Sequence, residues 1–250
     1  KSTPVGKTFK YIQENPGTYY IGFDPLLEKY AHHLSVGIRN EVQKDYSTLV
    51  LPGVNGRKWG MMFPMAVADN SNKMAEFHVS WIDGCSSLNK QRTAKELAEG
   101  GWKDSEVGRL VSRGCGTSDK FGLQLRRVPT VTLEEVLGVW LANREVEFMH
   151  IDAQGAEMQI LRSAPTKLKN VRRFLLELPA PNCATLTKDA PTCDEMLAEI
   201  RGMGFETEDA VREDGKSTVG LTRGFNCSSV PWGQWLSKCE HDIQFVRSDL

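Results

Sequence analysis

The stretch V-E-F-M-H-I-D-A-Q-G-A-E-M-Q-I-L, Val146 to Leu161, decides how this chain is read. Val146 to Ile151 has the short apolar run and β-branched content of a buried strand, and it stops at Asp152. Gly155 permits a tight turn, after which Ala156, Met158, Ile160 and Leu161 begin a helical pattern. Glu157 stands in the first helical turn, where a negative charge suits the helix dipole. The unit is therefore strand, turn, helix, with a carboxylate at the strand's C-terminal end. In open α/β sheets ligands bind just outside those ends, which makes Asp152 a candidate site residue. The plainer role for Asp152 is to cap the next helix.

Working outward, the same pattern recurs. Thr18 to Phe23 is β-prone and ends at Asp24-Pro25, after which Leu26, Leu27, Tyr30 and Leu34 fall at helical spacing. Asp24 suits either hydrogen bonds from ribose hydroxyls or the N-cap of that helix. Met61 to Ala68 reads as one strand ending at Asp69, and Ala75 to Trp81 as a half-exposed strand hairpinned to it, with His78 a surface imidazole. Thr132 or Thr130 is placed to cap a helix carrying Leu133, Val136, Leu137 and Leu141. Val171 to Leu178 is a strand with Glu177 near its end, Cys193 to Met203 an amphipathic helix, Phe205 to Glu208 a strand start, and His241 to Arg247 the last strand. A helix around Lys7 to Gln13 and a short strand over Ser47 to Leu51 are also expected. Gly6-Lys7-Thr8 lacks the preceding strand and glycine of a phosphate loop.

Between these elements, 85–127 reads as a polar loop insertion, with short helices over Thr93 to Ala98 and around Ser105 to Val111. A loop region of this length in a compact domain is usually functional, so substrate specificity is expected there. Its basic residues, Lys90, Arg92, Lys95, Lys103, Arg109 and Arg113, fit an anionic acceptor or simply a solvated face.

The 250 residues suit one large α/β domain with a sizeable core. A formal net charge of -1 supplies no global field toward nucleic acid, which is not expected as a partner. No apolar run approaches the ~20 residues of a membrane-spanning helix. The six cysteines contain no C-x-x-C pair, so zinc-ribbon and redox-motif readings lack support. Cys183 with Cys193, and Cys227 with Cys239, each bracket a loop-like segment that suits a local disulfide. Asn226-Cys227-Ser228 satisfies the N-x-S/T acceptor rule. Together these favour the secretory lumen or the extracellular space over an organelle or the cytoplasm, where the thiols would stay reduced.

The motif series F-D-P (Phe23 to Pro25), A-V-A-D (Ala66 to Asp69), C-S-S-L (Cys85 to Leu88), V-P-T-V-T-L-E-E-V-L, H-I-D-A-Q-G-A-E, F-L-L-E-L and I-Q-F-V-R resembles the FkbM-type methyltransferases over about residues 18 to 247. The resemblance implies a Rossmann-like class I fold, an α/β sheet of order 3-2-1-4-5-7-6 flanked by helices, and S-adenosylmethionine as cofactor. It implies that Asp24 binds the ribose and that Ala68 and Asp69 line the adenine pocket. Asp152 would lie beside the cofactor's methionine portion, orienting its ammonium or taking a proton from the acceptor hydroxyl. Glu177 would help shape the acceptor site. His150 stands where the family carries a basic residue, and it shares a strand face with Asp152, although a core-packed imidazole is the favoured reading. Gln154 stands where the family often has Glu.

One departure matters. Nothing between Lys1 and Tyr19 reads as the first strand and glycine-rich loop of the class, so an N-terminally incomplete domain is expected, or another segment or chain filling the gap. The leading expectation is an O-methyltransferase acting on a hydroxyl of a small molecule or glycan. The alternative is a catalytically inactive relative serving as a structural or interaction subunit beside a protein partner. A nicotinamide dehydrogenase of similar topology needs the same missing loop and has no motif in its favour.

Overall fold

A computed structural model of the chain describes residues 18–29, 60–71, 73–102, 108–109, 114–116, 124–181, 183–207, 226–229 and 239–249. Contacts divide it into two compact units, the first comprising Lys1–Val67, Asn72–Met74 and Val128–Thr130 and the second Ala68–Ser71, Ala75–Arg127 and Val131–Leu250. The architecture is mixed α/β, with several sheets and short helices. The expectations over 7–13, 30–34 and 47–51, and most of that over 105–111, lie outside the described residues.

In the first unit β1 (Tyr20–Phe23) pairs in parallel with β2 (Gly60–Phe63). Phe23 stands opposite Phe63, and their rings stack with centroids 5.6 Å apart. The ladder closes one residue further on, where Asp24 N donates to Phe63 O at 3.1 Å. Residues 27–29 form the start of the helix expected after Pro25.

The strand expected over 61–68 is broken. Pro64 has no N–H for a ladder, and a bend over 64–65 separates β2 from β3 (Ala66–Val67). The expected hairpin is also corrected, because β5 (Gln124–Val131) lies between β3 and β4 (Met74–Val79). With eight residues of ladder-forming backbone against two in β3, β5 is the better partner for β4. The first half of β5, up to Arg127, falls within the expected polar insertion. After it Thr132, rather than Thr130, caps α1 (Leu133–Glu135), its side chain accepting from Glu135 N at 3.1 Å. The helix then loosens into a π turn, Val136–Trp140.

The second unit carries the sheet that positions the site. β6 (Val146–Ile151) runs parallel to β7 (Val171–Pro179), as a connection through a helix, α2 (Glu157–Arg162), allows. β9 (Glu240–Arg247) pairs antiparallel with both β7 and β8 (Phe205–Thr207), giving the order β6-β7-β9-β8. Its core is aromatic: the buried Phe174 ring lies 4.7 Å from that of Phe205 and 5.2 Å from that of Phe245. α3 (Cys193–Gly202) starts at a Thr192–Glu195 capping box and buries Met196, Leu197 and Ile200.

The segment expected as a polar insertion has an apolar anchor of its own. A helical turn over Ala94–Glu99, capped reciprocally by Thr93 and Glu96, brings Leu97 into a buried cluster with Trp102, Leu186 and Cys239. Trp102 Nε1 donates to Ala184 O at 2.7 Å, so the indole polar atom is satisfied inside that cluster.

The cysteine pairing corrects both expected local loops. The bonds are Cys85–Cys115, Cys183–Cys239 and Cys193–Cys227, with Cα–Cα distances of 5.3, 5.3 and 6.0 Å. The reason is tertiary. Cys183 follows the end of β7 and Cys239 precedes β9, and those neighbouring ends are already joined by Ala180 N donating to Cys239 O at 2.6 Å. Cys193 opens α3 and meets a fully buried Cys227. Among the described residues no helix is long and apolar enough to cross a membrane.

Phe174 is the ring on which the other two pack. Phe174→Ala is expected to destabilise the chain by about 3–5 kcal/mol through cavity formation, measured as a lowered midpoint in chemical denaturation with the disulfides intact.

Candidate active site

β6 ends because its backbone turns out of the ladder. Gln154 (φ 52°) and Gly155 (φ 92°) are both left-handed, and a Cβ at Gly155 would run into Thr187 Oγ1, so this position needs glycine twice over. The turn is held from inside by Glu157. Its buried carboxylate oxygen Oε1 accepts from Ala153 N and from Gly155 N, both at 3.0 Å. Burial pushes the Glu157 carboxyl up to about 7; those backbone N–H bonds oppose the rise, and the nearby Asp152 charge adds to it.

Asp152 projects from the end of β6 and is exposed. Gln154 Nε2 donates to Asp152 Oδ1 at 2.5 Å and to Glu177 Oε2 at 3.2 Å, so one carboxamide bridges the acids at the ends of two adjacent parallel strands. Across the β7–β9 ladder Asp242 stands opposite Glu177, and Glu240 opposite Pro179. The Glu177 and Glu240 carboxyls lie near each other in this cluster. Part of each residue reaches solvent while its carboxyl is enclosed. Burial raises Glu177 well above the usual carboxylate range, with the charges of Glu240, Asp152, Asp242 and Glu157 adding. Burial, then Glu157 and Asp152, push Glu240 up to about 8.

Glu157, Glu177 and Glu240 line a small open cleft together with Gly155, Leu186 and Met196. Its wall combines apolar side chains with three carboxyls. Such a surface suits a cationic group, and its acids can hold or pass protons. Among the described residues no group of three or more His, Cys, Asp or Glu is arranged to hold a metal ion.

A second layer holds the turn from outside. Ser87 Oγ donates to Ala153 O at 3.1 Å and Asn89 Nδ2 to Gly155 O at 2.7 Å, while Asn89 Oδ1 accepts from Gln159 Nε2 at 2.8 Å. Thus the C-S-S-L-N segment carries the carbonyls that the left-handed turn leaves without ladder partners. Sequence reasoning quoted that segment without assigning it this work. It also missed Glu240, which stands just after Cys239 and shows its neighbours only once β7 and β9 pair.

The remaining expected residues fall as follows. Asp24 is half-buried in the first unit, and its Oδ1 accepts from Leu26 N at 3.0 Å, the local bond expected of a capping acid. Ala68 is buried, with its N donating to Val131 O at 2.8 Å, and the next residue, Asp69, is exposed and accepts from Asn70 Nδ2 at 2.6 Å. His150 is corrected from core-packed to exposed: Phe148, His150 and Asp152 alternate on the exposed face of β6. His78 is half-buried rather than a surface imidazole, and burial lowers its pKa. Of the basic residues, Lys90 and Lys95 are exposed, whereas Arg92 is structural, its Nε donating to Thr185 O at 3.0 Å.

The acid cluster sets a pH dependence. Carboxyls raised from 4.5 bind more protons folded than unfolded, so their contribution to stability is complete below about pH 4.5 and is lost as pH rises through about 7 and 8. The melting temperature is expected to fall across that window. Glu240→Gln should flatten the profile and raise the melting temperature above pH 8, by about 2–4 °C for each kcal/mol of repulsion relieved, read by calorimetry.

Compared with known proteins, residues 4–207 match the model of the Methyltransferase FkbM domain. No curated protein and no solved structure matches the chain.

Proposed function

The chain belongs to the FkbM methyltransferase domain family, and from that premise we propose that it is an S-adenosylmethionine-dependent O-methyltransferase acting on a hydroxyl of a small molecule or glycan. The domain match over 4–207 is the observation that carries methyl transfer. The parallel β1–β2 pair and the four-stranded order β6-β7-β9-β8 are compatible with a methyltransferase fold.

The donor set fits the cofactor chemically. S-adenosylmethionine is cationic at its sulfonium and at its ammonium, and the acids at the ends of β6 and β7 offer negative charge and hydrogen-bond acceptors. When bound, the cofactor supplies an already activated methyl group, so the protein's task is alignment and exclusion of water. In this reading Asp152 accepts from the ammonium or takes the proton of the acceptor hydroxyl. Gln154 fixes the orientation of Asp152 by donating to it, and Glu177 shapes the acceptor side of the cleft. The Glu177–Glu240 pair keeps a proton at neutral pH, limiting the negative charge the cleft must enclose. Asp24 accepts from ribose hydroxyls, and Ala68 and Asp69 line the adenine pocket. Three disulfides support maturation in an oxidising compartment, the secretory lumen or the extracellular space.

Isothermal titration of the folded chain with S-adenosylmethionine tests the reading. Saturable binding is expected, weakened about 10–100-fold by Asp152→Ala, as loss of a charge-assisted hydrogen bond of ~1.5–3 kcal/mol implies. A folded chain that shows no heat of binding would sink the proposal and favour the non-catalytic subunit.

A further inference from the structure

We propose that Asn226 is an N-glycosylation site, resting on the reading that the chain matures in an oxidising secretory compartment. Among all the asparagines of the 250 residues, Asn226 alone begins an N-x-S/T sequence. Its surroundings in the fold suit a modified residue. Asn226 and Ser228 are exposed, while Cys227 between them is fully buried and bonded to Cys193 at the start of α3. The acceptor therefore stands immediately before a short turn, Cys227–Ser229, whose first residue is pinned to the core. A glycan on Asn226 extends into solvent without displacing core packing. Ser228 Oγ donates to Asn226 Oδ1 at 2.8 Å, so the hydroxyl two residues on already addresses the carboxamide oxygen.

The disulfides and the acceptor sequence are independent features that call for the same cellular location, since N-linked transfer and disulfide formation both occur in the secretory lumen. The donor class is a lipid-diphosphate-linked oligosaccharide supplied there. Asn226 Nδ2 forms a bond to the anomeric carbon, the bond from that carbon to the diphosphate oxygen breaks, the diphosphate leaves with the electron pair, and one amide proton is released. No oxidant or reductant is needed.

The test uses the full-length protein isolated from eukaryotic cells that express its whole coding sequence. Digestion with peptide:N-glycosidase should lower the intact mass and convert Asn226 to Asp in the peptide containing it. Asn226→Gln and Ser228→Ala should each abolish the shift, and Ser228→Thr should retain it. Alkylation of the same sample with and without reductant reports the cysteines. Blocked cysteines with an unmodified Asn226 would overturn the glycosylation proposal and leave the compartment reading standing. Free thiols with an unmodified Asn226 would overturn both.

Discussion

Glu157 holds the turn on which the candidate site is built. A carboxyl taken out of water must find donors, and this one finds Ala153 N and Gly155 N, the two amides that the chain frees as it leaves β6. The bonds run both ways. The amides lower the cost of enclosing the acid, and the acid makes the left-handed conformations of Gln154 and Gly155 the conformations that satisfy it. From that geometry Gln154 reaches both Asp152 and Glu177, bringing the ends of β6 and β7 under one donor. Ser87 and Asn89 complete the arrangement by binding the carbonyls on the other side.

Enclosing several acids together costs stability, and the rest of the second unit offsets it. β7 is paired on both sides, by β6 and β9, and carries the buried Phe174, Leu176 and Leu178 on one face. Glu177 projects between those positions and so inherits a rigid backbone. The Cys183–Cys239 bond adds a clip where β7 ends and β9 begins, next to Glu240. Burial raises both Glu177 and Glu240 above the usual carboxylate range, which limits the charge held in the cluster.

Local pattern carried much of this. β6 spans the six residues that its apolar run marks, β7 and β9 each extend one residue beyond theirs, and α3 begins at the predicted Cys193. These elements were legible because hydrophobic period and capping residues act within a few residues along the chain. β5 was not, since Arg126, Arg127 and Pro129 disguise a strand whose partners lie far away in sequence. Disulfide partners were misread for the same cause: nearness in sequence stood in for nearness in space, which tertiary packing decides.

By itself the sequence determined that strands end at Asp24 and Asp152 and near Glu177, and that a glycine turn follows Asp152, because these are properties of short segments. It also carried the motif series that the family match bears out. Only the tertiary structure decided which acids meet. Glu157 reads as an ordinary first-turn charge and Glu240 lies just before the predicted last strand, yet both come near Glu177 in the folded chain. The physical reason is that burial and mutual repulsion depend on distances through space, and neither is written in the order of the residues.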